Sequence, residues 1–524
     1  MKREILYALP FILLLFVSMS NETLLIDHDD KKQFLVTDYG AVPDGTTLNT
    51  KAIQKAIDAA HKRKKGGKVV FTKGKFLSGS IELKSNVTLF FEEGAVLLGS
   101  TNPTDYKKMD FEGRPVSPKK DDNSQMALIL AHKANNIKLA GKGIIDGQGL
   151  ELALKIDSLH HAGITIDPNY NVKRHRPNET MRPKLFRFSQ CNNVEVRDLK
   201  VGEAACWGLS FELCNNLVID GLTVVNRSYW NNDGMDITDS KNVRITNCNI
   251  NSADDGICLK SYYPGYANDS IYIANNVIRS SASAIKFGSA SYGGFKNVTI
   301  ENIQVFDTFR SALAFESVDG AVIENINVNN VVAKNTGNAF FIRLGHRDGE
   351  KSGVVKNISI KNVKVEVPFG RPDIDYDLRG PEVNYFHNPF ASSIAGIPGH
   401  HIENVSLENI EISYPGRASK SMAYIPLSRL AQVPEEVKGY PEFTMFGELP
   451  AYGLYVRHAS GISMKNIKLT LQNEDFRPAF VFDDVKGIIA NEIELPKSSK
   501  GQFILKDTEK IELDVESSNL IEKY

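Results

Sequence analysis

The sequence carries almost no excess charge: 62 Lys and Arg stand against 63 Asp and Glu, and the basic residues are dispersed rather than gathered in a run. A nucleic-acid partner is therefore not indicated. Cysteine is scarce too. The five present, Cys191, Cys206, Cys214, Cys248 and Cys258, do not form the even, spaced set of a small disulfide scaffold, and none has zinc-site spacing. Cys191 and Cys214, each before Asn-Asn, read as small apolar groups in equivalent places, and a disulfide between neighbouring segments stays open. Long apolar runs are missing after the first twenty residues. There, Lys2 and Arg3 precede an apolar stretch over 5–17, followed by Ser18 and Ser20, which reads as a secretory signal over 1–20. The stretch is short of the roughly 20 residues a spanning helix needs, so the expectation is export to the periplasm or the extracellular space, with no membrane span. With 42% hydrophobic and 24% charged residues the remainder is an ordinary globular chain. It reads as one domain over 21–524, and as a monomer.

What is present is a repeat. The five-residue shapes WGLSF from Trp207, DGMDI from Asp233, DGICL from Asp255, SAIKF from Ser283, SALAF from Ser311 and NAFFI from Asn338 follow at offsets of 26, 22, 28, 28 and 27. A period in this range with a strand in each unit is the signature of a stacked solenoid. Successive rows lie about 4.8 Å apart, which brings Asp233 and Asp255 onto one surface. Since residues two apart share a face, the outward set is Asp236 and Thr238, Cys258 and Lys260, Lys286 and Gly288, Ala314 and Glu316, Phe341 and Arg343.

A second row pairs Asn or a small residue with alternating apolar positions, starting at Asn86, Asn136, Asn193, Asn216, Asn242, Ser270, Asn297, Ala321, Asn357, Asn404, Gly461 and Gly487. The alternation suits strands with one face inside, and Asn suits turns in left-handed backbone. Ahead of the repeats, apolar Ala52, Ile53, Ala56, Ile57 and Ala60 predict a helix over 52–63, with Asn49 or Thr50 as N-cap and Gly66-Gly67 as its end. It is expected to cap the exposed first coil, with 34–100 forming the cap and first coils. Three excursions, over 150–182, 365–399 and 414–451, interrupt the spacing, and such insertions gather on the binding face of solenoids. Their Arg174, His175, Arg176, Arg182, Arg371, Arg379, His387 and His400 are candidate contacts, with solvated loop charge as the alternative.

The stretches NNDGMD, SADDG and AIKFGS, in a repeat chain beginning FLVTDYGAVPDGTTLNTKAIQKAID, resemble glycoside hydrolase family 28, the polygalacturonase-like enzymes. The resemblance implies a right-handed, single-stranded parallel β-helix and catalytic roles for Asp233, Asp254 and Asp255. It further implies inversion, with Asp254 as general acid and the other two holding the attacking water. Inverting hydrolysis needs an acid and a base separated by room for a water, and crowded carboxylates raise at least one pKa. Pectic polysaccharide or oligosaccharide is the implied substrate. No cofactor or metal is called for.

The sequence also departs from the family. Where polygalacturonases carry Gly-His-Gly stands Ala282-Ser283-Ala284, and at their carboxylate-binding Arg-x-Lys stand Ala314 and Glu316. An anionic Glu316 repels a uronate unless neutralised. Lys260, Lys286 and Arg343 become candidates for an anionic group at a shifted subsite, followed by His346 and Arg347, with Asp236, Glu316 and Arg182 as further substrate contacts. A Lys286–Glu316 salt bridge between coils is the alternative. Plain polygalacturonate is then not the expected substrate. Two rivals stay open: a polysaccharide lyase whose aspartates hold calcium, and a non-catalytic carbohydrate-binding solenoid.

Overall fold

A computed structural model describes residues 32–119, 124–373, 390–419, 427–498, 501–514 and 521–523. The expected signal, together with Arg379 and His387, lies outside the described residues.

Alternation of apolar and polar residues builds the strands, and parallel pairing of each strand with its counterpart one coil away builds the β-helix. Leu209 pairs with Met235, Met235 with Ile257, Ile257 with Ile285, Ile285 with Leu313 and Leu313 with Phe340. Two residues on, Phe211, Ile237, Leu259, Phe287, Phe315 and Ile342 pair in the same succession. Both columns are buried, and full burial of each such side chain stabilises by about 1.5–3 kcal/mol. The rings of Phe287 and Phe315 sit 4.6 Å apart on adjacent coils. The residues between point outward. The column extends past the motif rows, through Ser392 to Leu454, Phe480 and Phe503. All five cysteines are free and buried.

Polar ladders run outside. Asn136, Asn193 and Asn216 each donate from Nδ2 to Oδ1 of the Asn one coil back, at 2.9–3.0 Å. Further along, Asn325 donates to Asn297, Asn357 to Asn325 and Asn404 to Asn357. These residues hold φ between 53° and 65°, the left-handed region that Asn tolerates better than other residues with a β-carbon. One row differs from the sequence expectation. Val298 pairs with Ile326, so the row begins at Asn325 rather than Ala321; both stretches alternate, and the need for a left-handed residue at the turn decides between them. A second ladder, missed in the sequence, runs through Asn302, Asn330, Asn409 and Asn466.

The helix spans Thr50–His61, two residues short of the expected end, and buries Ile53, Ala56, Ile57 and Ala60. Asn49 precedes it without a side-chain cap bond, because its amide is taken by the backbone of Val42. A further helix, Gly149–His161, lies within the first excursion. The last excursion folds onto the solenoid: Leu430, Val433, Phe443, Phe446 and Leu449 pack against outward-facing Phe341, Ala395, Tyr455, Val481 and Ile504. On the other side, Phe111 covers Ala127 and Leu130. The aspartates lie on the outward face between these covers, where Cys206, Trp207, Tyr262, Tyr263 and Ala290 form a smaller apolar cluster.

The ladder predicts a difference between two substitutions. Asn330, at φ 58°, should cost about 1–2 kcal/mol as Asn330→Ala and less as Asn330→Gly, which keeps the backbone conformation. Urea denaturation of both variants checks the order.

Candidate active site

Asp233 and Asp255 occupy the same turn on adjacent coils, each just before a strand, Met235–Thr238 and Ile257–Ser261. The amide of Gly234 donates to the carbonyl of Asp255 at 2.9 Å, as that of Gly208 does to Asp233 at 3.0 Å. Each Asp is followed by Gly for a steric reason: a Cβ at Gly234 would fall 2.5 Å from the Gly256 carbonyl oxygen, and one at Gly256 2.6 Å from that of Ala284. The turn is held from behind. Asn232 donates to the carbonyls of Ala204 and Cys206 at 2.9 and 2.7 Å, and Asn226 donates to that of Asp233 at 2.7 Å. Ser252 and Ser280 donate to the carbonyl of Asp254 at 2.8 and 2.6 Å.

Lysines from the strands behind the turn pair with the carboxylates. Lys260 Nζ lies 3.2 Å from both Asp233 Oδ2 and Asp236 Oδ1. Lys286 Nζ lies 3.5 Å from Asp255 Oδ2 and 3.8 Å from Glu316 Oε2. Arg310 adds a third cation, and burial, then Asp233 and Asp255, raises the Asp254 pKa to about 7 against the pull of Arg310 and Lys286. Burial would raise Asp255 as well, but Lys286, Lys260 and Arg310 hold it below the usual carboxylate value. Asp233 is pushed well up by burial and by Asp236, and Asp236 is itself raised by burial against Lys260. Of this pair, Asp233 is raised the further. Glu316 is raised to about 7, by burial opposed by Lys286.

The expected residues divide. Asp233, Asp236, Asp254, Asp255, Lys260, Lys286 and Glu316 come together. Arg182 and Arg343 do not face a substrate, because both are buried and their terminal guanidinium nitrogens bond to the protein itself. Arg182, wholly buried, donates to the carbonyls of Pro177, Ala205 and Trp230 and to Asn231 Oδ1, which braces the loop ahead of Asp233. Arg343, also buried, donates through Nη1 to the carbonyls of Ala395 and Gly396 and through Nη2 to those of Glu435 and Glu436. It fastens the last excursion. His346 contacts the Gly349 carbonyl, and Arg347 pairs with Asp319 at 2.6 Å. Arg371 is paired with Asp373 at 2.6 Å, and Arg176 stacks over Trp230 at 4.4 Å.

Sequence reading missed Arg310, Tyr440 and Glu442. Arg310 precedes the SALAF motif as Asp254 precedes DGICL, and that equivalence was available as a signal. Its Nη2 lies 3.3 Å from Glu442 Oε2, and Lys286 Nζ is 3.5 Å from the Tyr440 hydroxyl. Both partners come from the last excursion, whose position no periodicity encodes. Lys184 was missed as well; it reaches Ser210 at 3.0 Å and lies over Trp207, as Lys260 does. Farther along the same face, Phe111, Arg114, Lys119, Glu212, Tyr262 and Tyr263 line a cleft of about 540 Å³.

Atoms of Asp233, Asp255 and Cys258 lie within 4.8 Å of one another, close enough to hold a metal ion. The ammonium groups of Lys260 and Lys286 already stand against those two carboxylates, and a calcium ion would meet their repulsion. The calcium reading is disfavoured on that ground.

A parallel β-helix with a buried carboxylate cluster on its outward face is the architecture of a carbohydrate-active enzyme. The family model for glycosyl hydrolases family 28 matches residues 86–431, and the chain belongs to that family; it is an O-glycosyl hydrolase of the polygalacturonase type. It is 29% identical over 306 residues to the exo-poly-alpha-D-galacturonosidase of Dickeya chrysanthemi, a match covering 51% of this chain and 49% of that relative's length. To the endo-polygalacturonase of Pectobacterium carotovorum subsp. carotovorum it is 26% identical, over 58% of this chain and 74% of the relative. The family 28 exopolygalacturonase of Yersinia enterocolitica superimposes with a TM-score of 0.63 at 20% identity, over 88% of this chain and 78% of that one. Among the described residues no helix is long and apolar enough to cross a membrane.

Arg343→Ala leaves four carbonyl oxygens without their donor. It should destabilise the protein by about 3 kcal/mol, and hydrogen exchange should rise first over residues 429–451, which Arg343 fastens.

Proposed function

We propose that the protein is an exported, inverting glycoside hydrolase acting on pectic chains, with Asp254 as general acid and Asp255 as general base. Asp233 orients the water. The observation that carries this reading is that two adjacent carboxyls stand in opposite environments: burial and its acidic neighbours raise Asp254 to about 7, while Lys286 and Lys260, beside Asp255 and Asp233, hold Asp255 low. A water accepting proton withdrawal by Asp255 can be shared with Asp233, since their oxygens lie within 4.8 Å and two hydrogen bonds through one water span up to about 5.6 Å. Asp254, protonated, donates to the leaving oxygen as the bond breaks. Asp233, raised where Asp255 is lowered, directs the water without competing with Asp255 as the base.

The residue at the cleavage point carries no carboxylate in this proposal. The family's Arg-x-Lys is replaced by Ala314 and Glu316, and Glu316 is buried beside Lys286. Ala314 brings no charge and the Glu316 carboxyl can accept from sugar hydroxyls, which suits a neutral sugar, such as rhamnose or a side-chain unit, better than a uronate. The family relatives cited above are named for galacturonan, so this is a divergence within the family. Comparing kcat/KM on homogalacturonan with rhamnogalacturonan-type oligosaccharides tests it. A preference for the second is expected; a clear preference for homogalacturonan would instead assign uronate recognition to Arg310 and Lys286.

The acid assignment has its own consequences. Asp254→Asn should lower kcat by at least about a hundredfold with the fold intact, and near-normal turnover would move the role elsewhere. Because the acid must carry its proton, activity should be present below the Asp254 pKa and fall as pH rises through about 7. The Arg310 charge opposes that rise, so Arg310→Gln should shift the basic limb of the profile to higher pH.

A further inference from the structure

At another corner of the solenoid, three coils turn in register. Ile402 pairs with Ala459, and Arg457 and Ala459 pair with Asp483 and Val485. The residues at the turn, His401, His458 and Asp484, are therefore stacked one above the next. His458 and Asp484 hold left-handed backbone, at φ 49° and 55°. His401 Nε2 and His458 Nδ1 converge on one oxygen, Asp484 Oδ2, at 3.0 and 2.7 Å. The three donor atoms lie within 4.8 Å of one another.

We propose that His401, His458 and Asp484 bind a divalent transition metal of the zinc class. Two imidazole nitrogens and a carboxylate oxygen are the donor set such an ion takes, at about 2.0–2.2 Å from each ligand, which sets tetrahedral ligand atoms about 3.4 Å apart; the 3.0 and 2.7 Å contacts to Asp484 need open by less than about 1 Å to admit it. The hydrogen bond behind the site agrees. His458 Nε2 lies 3.1 and 3.2 Å from the two oxygens of Glu435, so that carboxylate takes the N–H and leaves Nδ1 as a lone pair directed at the ion, the arrangement by which a ligating histidine is oriented. His458 is 8% exposed, while His401 and Asp484 have 19% and 34% of their side chains exposed, so an ion can enter and keep a water as fourth ligand.

The site's position suggests its use. Glu435 also pairs with Arg457 at 2.6 Å, and its carbonyl accepts from Arg343. The ion thus fixes the segment that brings Tyr440 to Lys286 and Glu442 to Arg310. The motifs called for no metal; the ligands are 57 and 26 residues apart in sequence, and coil stacking alone unites them.

The test is isothermal titration of chelator-treated protein with Zn²⁺, paired with thermal unfolding and the visible spectrum of the Co²⁺ form. One equivalent should bind, raise the unfolding temperature and give Co²⁺ a low-symmetry absorption band. Asp484→Asn and His401→Gln should each weaken binding at least about tenfold. His401, on the rim, keeps the test alive if the Asp484 variant fails to fold. Absence of saturable Zn²⁺ binding, or binding unchanged in both variants, would overturn the proposal.

Discussion

The register between neighbouring coils is the constraint on which the rest depends. Parallel strands about 4.8 Å apart place residue i of one coil over its counterpart in the next, and 22 residues separate Asp233 from Asp255. An insertion of one residue between them would flip the following strand, exposing Ile257 and Leu259 and burying the outward groups. The apolar columns that hold the solenoid together are for this reason also what hold the acids together. Glycines 234 and 256 make the close stacking of the acid-bearing turns possible.

Burying so many charges has a cost that pairing offsets. An isolated buried carboxylate is strongly disfavoured, and each acid here has a cation nearby: Lys260 for Asp233 and Asp236, Lys286 for Asp255 and Glu316, Arg310 for the field at Asp254. The pairing is uneven. Asp255 gets most of the cationic help and stays ionised, whereas Asp254 is left near neutrality. Two carboxyls side by side thereby acquire opposite protonation, which is what acid–base catalysis at one bond requires.

Much of the fold was legible because it is periodic. The six motif rows align as their apolar positions demand, and the Asn ladder follows from the backbone conformation it must adopt. The one misplaced row, at Ala321, fails where two alternating stretches overlap and only the left-handed turn distinguishes them. The acid cluster and the Lys260, Lys286 and Glu316 charges were legible because outward positions follow from the same period. Arg182 and Arg343 were misread because a sequence shows that an arginine is present, not whether backbone carbonyls have claimed its donors. Tyr440 and Glu442 were invisible for a different reason. They arrive on an excursion whose path is set by packing of Phe443 and Phe446 on the outer face, and no repeat spacing records that.

The stereochemistry of cleavage tests the roles of the three aspartates most directly. A proton NMR spectrum taken as the first bonds are cut resolves the anomeric configuration of the new reducing end before mutarotation scrambles it. Water held by Asp233 and Asp255 on the face opposite the Asp254 proton predicts a product of inverted configuration. A product that retains the configuration of the bond cut would require a covalent intermediate on one of these aspartates, and would contradict the roles assigned to all three.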